Sequence, residues 1–319
     1  MSLQTRSWSV DIAATGERID RHIAQRLANE SISRGEVQRA LEAGKVSVND
    51  APVKSSYRVR AGDRVVFECA APAESSAAPQ DIPLEILHED DALLVLVKPA
   101  GMVVHPARGH ADGTLVNAVL FHTQIEESEE VQGRPGIVHR LDKGTSGVMV
   151  VAKTARAREG LKAQFQTHTI VRVYDALVWG APQCPLRIAT LHGRHPKDRL
   201  RFSSKVAVGR AAVTHVELHQ ATARASWLRC RLETGRTHQI RMHLSELGYG
   251  LVGDPLYGKA PRDLAARVIG DDLGHQALHA RVLGFIHPIT QQELHFEREI
   301  PEDFELAWRR LVALDVTGG

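Results

Sequence analysis

Cysteine is scarce: Cys69, Cys184 and Cys230 are odd in number, widely spaced and without a C-x-x-C pair. That leaves no disulfide framework or zinc ribbon and points to a reducing compartment. Long apolar runs are missing too. The longest, Ala92 to Val97, falls far short of the roughly 20 residues that cross a bilayer, so no membrane association is expected. The opening M-S-L-Q-T-R-S-W has no apolar signal core, so the cytoplasm rather than export is the expectation. Seventeen histidines include the pairs His215/His219 and His192/His195, yet no H-E-x-x-H accompanies them, and no metal site is expected.

Nor is there a large excess of one charge, the net value being +2. The distribution is uneven, however. Arg140 to Arg172 holds seven Lys/Arg against Asp142 and Glu159, and His192 to Arg210 holds six against Asp198 alone. Acid gathers elsewhere, at Glu126, Glu127, Glu129 and Glu130. Basic stripes on a nearly neutral chain suit a polyanion site on one face, or simply a solvated basic surface. A length of 319 residues with 43% hydrophobic and 24% charged content fits a globular chain of one large domain and one small.

Residues 1–16 read as a tail. Ile19, Ile23 and Leu27 then recur at helical spacing, Ser33 and Glu36 form a capping box for a second helix, and Gly44 supplies its stop. Short strands follow around the Asn49-Asp50 turn and at Arg64 to Phe67, closing a unit over 17–69. The aperiodic A-A-P-A-E-S-S-A-A-P-Q predicts a flexible linker over 70–81. A second domain, 82–319, opens with Ile86-Leu87 and an acidic turn at Glu89-Asp90-Asp91, followed by the strand Ala92 to Val97 and the turn K-P-A-G. A helix runs from Gly113-Thr114 through His122, another over Ala155 to Thr167, and the next strand places Arg172 and Tyr174 on one face. Near the C-terminal third, Thr237 is placed to cap a helix whose core face is Ile240, Leu244 and Leu247.

The chain is organised around Gly136 to Thr154, G-I-V-H-R-L-D-K-G-T-S-G-V-M-V-V-A-K-T. His139, Arg140 and Asp142 crowd a turn that runs into an apolar strand, with glycines that let backbone approach a ligand. From these residues alone, a salt-bridged turn capping a strand and a reactive carboxylate both remain open. So do an RNA clamp without activity and a nuclease.

The string H-R-L-D-x-x-T-S-G resembles the signature of the RluA-type family of RNA pseudouridine synthases. Similar blocks follow its order from Ile86 to Pro288: K-P-A-G-x-V-V-H-P, R-V-Y in place of the usual Lys-x-Tyr, H-P-K-D-R, G-R-T-H-Q-I-R-M-H and G-D-P-L-Y-G. The resemblance implies an α+β pseudouridine synthase fold with a largely antiparallel mixed central sheet, working without cofactor or metal. Asp142 falls on the catalytic aspartate, Arg241 on the arginine that pairs with it, and Arg140 on the arginine that fills the space left by an extruded base. Tyr174 would lie against the uracil, with Arg236 the weaker candidate for Asp142's partner. His139, Arg172, Arg194, Lys197 and Arg199 are the further RNA contacts it suggests. The pattern from Glu17 to Phe67, with its G-K-V-x-V-N turn, is similar to the small αL (S-four-type) RNA-binding domain, and Arg34, Arg39, Lys45 and Arg58 would be its phosphate contacts. This layout looks most like the RluD-type enzymes. The partner implied is large-subunit ribosomal RNA or an assembling subunit, bound by a monomer.

Overall fold

The structure, a computed structural model, describes residues 3–27, 34–70, 77–107, 109–125, 135–258, 261 and 263–317. They fall into two compact units, one up to residue 70 and one from residue 77 onward.

In the first unit, strand β1 (Leu3–Ser9) leads to helices α1 (Ile19–Arg26) and α2 (Arg34–Glu42), then to β2 (Val46–Val48), β3 (Ala51–Pro52) and β4 (Arg64–Ala70). The sheet order is β1-β4-β2-β3. Ile19, Ile23, Leu27, Val37 and Leu41 pack on Val46, Val48, Val65 and Phe67, as helical and strand periodicity require. Asn49 and Asp50 take left-handed backbone, φ 50° and 65°, the conformation a two-residue hairpin loop needs. The sequence reading of residues 1–16 as a tail is corrected. Leu3 to Ser9 pairs with β4 through its whole length, a mostly polar strand held at a sheet edge by backbone hydrogen bonds and by Trp8 packing on the core. Ser33 lies outside the described residues, as do the side chains of Arg34 and Glu36 and the run Glu126 to Glu130.

The second unit carries β5 (Glu85–Glu89), β6 (Leu93–Lys98), α3 (Leu115–His122), β7 (Ser146–Ala152), α4 (Ala155–Thr167), β8 (Val171–Trp179), β9 (Leu186–Arg194), β10 (Phe202–Ser203), β11 (Arg210–Ala221) and β12 (Ala225–Leu232). Helices α5 (Gln239–Glu246) and α6 (Leu264–Leu273), strands β13 (Leu278–Ile286) and β14 (Glu293–Glu297), and helix α7 (Glu302–Thr317) complete it. One ten-stranded sheet runs β10-β9-β11-β12-β8-β13-β7-β6-β5, with β14 on β13. Among the described residues its only parallel pair is β13 with β7; every other pair is antiparallel. The chain is thus α+β, with a large and mostly antiparallel sheet.

Half of the predicted linker proves to be anchored. Residues 71–76 are not described, but Ala77 is buried, the Asn117 amide donates to the Ala78 carbonyl at 2.8 Å, and Gly113 N donates to Gln80 Oε1 at 2.7 Å. Ordered hydrogen bonds to α3 offset the flexibility that an Ala/Ser/Pro composition suggests.

Candidate active site

Asp142 sits in the turn between the buried Leu141 and strand β7, where its carbonyl accepts from Thr145 N at 3.0 Å. The turn is braced from beneath. Lys98, at the end of β6 and 0% exposed, sends its ammonium to the carbonyls of Pro99 (2.8 Å), Met102 (2.9 Å) and Lys143 (3.3 Å). Burial pulls this lysine's pKa down to about 7, with the Asp142 charge opposing. The Asp142 side chain is 16% exposed and opens onto a small, open cleft.

Helix α5 delivers Arg241, 5% exposed. Its Nη1 donates to Asp142 Oδ2 at 2.9 Å, while Nε and Nη2 fork onto the carboxylate of Asp254 at 2.7 and 2.8 Å. Such a bidentate pair fixes the guanidinium plane and so aims the remaining donor. Burial works against the charge on Asp254, but hydrogen bonds from and the charge of Arg241, with the N–H groups of Tyr257 and Leu256, hold that carboxyl below its usual range. For Arg241 the burial penalty is likewise outweighed by the two aspartates, and its pKa is raised.

Tyr174, on β8, is buried with its ring among Leu232, Ile240 and Leu278, which with it form the apolar walls of the cleft. Its hydroxyl makes no hydrogen bond among the described residues. Burial first, then the charge of Asp142, raises the phenol pKa against the opposing influence of Arg172, so it stays protonated at neutral pH. Arg140 stands exposed at the mouth of the cleft.

The other expected contacts divide. His139 is turned into the fold: its Nε2 accepts from Val150 N at 3.0 Å and its ring stacks on Phe165 at 4.8 Å. Burial, and then the charge of Arg172, push its pKa down to about 3, which makes it a neutral support rather than an anion-binding group. Arg172 is buried, over the Phe165 ring and donating to the Glu233 carbonyl at 3.1 Å. Arg194 at the end of β9, and Lys197 and Arg199 on the loop between β9 and β10, are exposed, with Arg194 over the Phe202 ring. In the first unit Arg39, Lys45 and Arg58 are exposed, and Arg58 donates to the Gly16 carbonyl. Arg236 donates to the Ala211 carbonyl instead of meeting Asp142. The histidine pairs are dispersed among local partners: His192 with the Thr237 carbonyl, His195 with the amides of Lys197 and Asp198, and His215 with Glu233.

Two corrections concern α5. Thr237 does not cap it; His238 occupies that place in left-handed backbone with no side-chain cap bond. Leu247 is 46% exposed and lies outside the core face formed by Ile240 and Leu244. Asp254, Lys98, His238 and Tyr257 are site residues that no role was assigned to from the sequence. The only signal for Asp254 was its place in G-D-P-L-Y-G.

Comparison with known proteins identifies the family. Residues 92–246 match the family described as RNA pseudouridylate synthase, and residues 22–65 match the S4 domain. The ribosomal large subunit pseudouridine synthase D of Zymomonas mobilis is 42% identical over 93% of this chain and 94% of its own length. The protein of the same name from Pseudomonas aeruginosa is 41% identical over 94% and 93%. Among solved structures, human RNA pseudouridylate synthase domain containing 4 shares the fold, with a TM-score of 0.55 and 24% identity over 72% of this chain and 93% of that one. The chain therefore belongs to the RNA pseudouridine synthases, isomerases that act on RNA. Within them it is of the RluD type, an S4 module joined to a synthase domain.

Proposed function

We propose that the chain converts particular uridines of large-subunit ribosomal RNA, free or in an assembling subunit, to pseudouridine, as a cytoplasmic monomer with Asp142 as the catalytic carboxylate. The observation that carries this reading is a single carboxylate clamped through Arg241 by a second, buried one, and opening beside Tyr174 into a cleft with both polar and apolar walls. Glycoside hydrolysis normally uses two carboxylates flanking the bond. Asp254 is occupied by Arg241 and backbone amides, so one carboxylate faces the cleft, as a rearrangement requires.

The reaction breaks the C1′–N1 bond, turns the base, and joins C1′ to C5; the C5 proton is lost and N1 gains one. Asp142 either attacks C1′, forming a sugar ester, or removes the C2′ proton to give a glycal. Tyr174 packs on the ring, and its unpaired hydroxyl is a partner for the C5 proton transfer provided its own proton moves on. Extruding the nucleotide costs about a few kcal/mol, and Arg140 at the cleft mouth is the group suited to fill the gap. Phosphate contacts by Arg194, Lys197 and Arg199, and by Arg34, Arg39, Lys45 and Arg58 of the S4 module, would supply binding energy.

The test is pseudouridine mapping of ribosomal RNA from cells with and without the protein, by an adduct that stops reverse transcription. Loss at defined positions, restored by wild type but not by Asp142→Asn, is expected. Full restoration by Asp142→Asn would refute the catalytic assignment, and an unchanged map would refute the ribosomal target.

A further inference from the structure

Helix α5 opens on an oddity: His238 is a non-glycine residue at φ 57°, ψ 23° with no cap bond to hold it there. Side-chain-bearing residues disfavour this conformation, and where the fold imposes it the side chain is commonly being aimed. Here the imidazole is directed between two groups. On one side Nδ1 lies 3.1 Å from the hydroxyl of Tyr257. On the other, Nε2 lies 3.8 Å from Asp142 Oδ1, the carboxylate oxygen that Arg241 does not hold.

The direction of the hydrogen bonds follows from a donor further out. Phe202 N donates to the Tyr257 hydroxyl oxygen at 2.7 Å, which leaves the phenolic proton to be given away. Among the described residues the acceptor within reach is His238 Nδ1. Burial, partly offset by the charge of Asp142, keeps the imidazole neutral. A neutral imidazole that accepts at Nδ1 carries its proton on Nε2.

The geometry points to His238 as a positioning residue for Asp142: the Tyr257 hydroxyl fixes the Nε2–H tautomer, and that N–H orients Oδ1 while Arg241 holds Oδ2. The 3.8 Å separation is longer than a formed hydrogen bond, the looseness common in catalytic pairs before substrate closes the site. The chain of bonds begins at β10, directly after the basic loop. Arg194, one of the proposed phosphate contacts, lies 4.4 Å over the Phe202 ring, and Arg201 lies 4.9 Å over Tyr257, so basic side chains pack on the relay. Tyr257 is therefore placed to set the carboxylate without touching RNA itself.

This inference rests on the reading of Asp142 as the catalytic carboxylate, and the experiment separates the two. Nitrogen NMR of histidine-labelled wild-type protein reads the tautomer directly, and is expected to show His238 protonated at Nε2. Tyr257→Phe keeps the ring but removes the hydroxyl, and with it both the phenolic proton and the acceptor of Phe202 N. It is expected to shift His238 toward the Nδ1–H form and to lower kcat about tenfold, the loss of roughly one hydrogen bond, with KM for RNA unchanged. An Nδ1–H tautomer in wild type, or full kcat in Tyr257→Phe beside an inactive Asp142→Asn, would overturn the inference alone. Wild-type turnover by Asp142→Asn would overturn the underlying reading and the inference with it.

Discussion

Replacing Asp254 by Asn tests the clamp behind the active carboxylate. Asp254 Oδ1 accepts from Arg241 Nη2 (2.8 Å), Leu256 N (2.8 Å) and Tyr257 N (2.9 Å), and Oδ2 accepts from Arg241 Nε (2.7 Å). An amide keeps one oxygen. If that oxygen stays with the backbone amides, the new NH₂ confronts the Nε–H of Arg241, donor against donor. The buried guanidinium then retains Asp142 as its only anionic partner. Breaking a buried ion pair costs about 3–5 kcal/mol, and the surviving Asp142 contact places this case near the lower end, about 3 kcal/mol. For a domain of this size each kcal/mol moves Tm by about 2–4 °C, so a drop of about 6–12 °C is expected in calorimetry. Turnover should fall as well, because the donor aimed at Asp142 loses its anchor. Asp142→Asn is the control: its side chain is partly exposed and Arg241 keeps the bidentate partner, so its Tm should fall less. A Tm for Asp254→Asn within about 2 °C of wild type would refute the argument that the pair is structurally coupled.

Gly147→Ala should destabilise by about 3 kcal/mol or prevent accumulation of folded protein, since Gly147 has φ 123° and an added Cβ would overlap the backbone of Ala280; a soluble variant with unaltered Tm would contradict the pairing of β7 with β13. Acid sensitivity is expected from Glu89 and Asp90. Burial opposes their charge, but hydrogen bonds from His122 and Lys153 to Glu89, and from His88, the amides of Ala92 and Leu93, and His287 to Asp90, hold both at about 2. The unfolded carboxyls take up protons first, near pH 4. Their contribution is thus full above about pH 5 and lost as pH falls toward 2. Thermal melts of Glu89→Gln and Asp90→Asn across that range should show flatter pH dependence than wild type, and parallel curves would disprove it.

Elements whose signals are local were legible in the sequence. Helix α4 spans Ala155–Thr167, the bounds its apolar spacing predicts, and Thr154 caps it by accepting from Ala157 N. Arg172 and Tyr174 share the buried face of β8 that strand alternation assigns. What failed to show was whatever tertiary context decides. The polar strand Leu3–Ser9 has little apolar alternation to announce it, because edge pairing by backbone needs none. His139 and Arg140, adjacent in a charged turn, go opposite ways, one against Phe165 and the Val150 amide and the other to solvent. A lone aspartate in G-D-P-L-Y-G has the look of a turn former; its burial against Arg241 depends on a helix whose path the local sequence does not give.

The site owes its assembly to a two-residue contact in the middle of the sheet. Ala280 of β13 lies opposite Tyr174 of β8 on one side and opposite Gly147 of β7 on the other, and His279 beside it bonds the Ser146 hydroxyl through Nδ1 at 2.8 Å. Strands sit about 4.8 Å apart, so this row brings the turn that carries Asp142 within side-chain reach of Tyr174, with the small Ala280 between them. Parallel pairing also demands a long connection between the two strands. That connection contains β8 with Tyr174, α5 with His238 and Arg241, and the turn with Asp254 and Tyr257. A side chain at 147 would therefore do more than strain one strand: by parting β7 from β13 it would separate the carboxylate from every group that aims it.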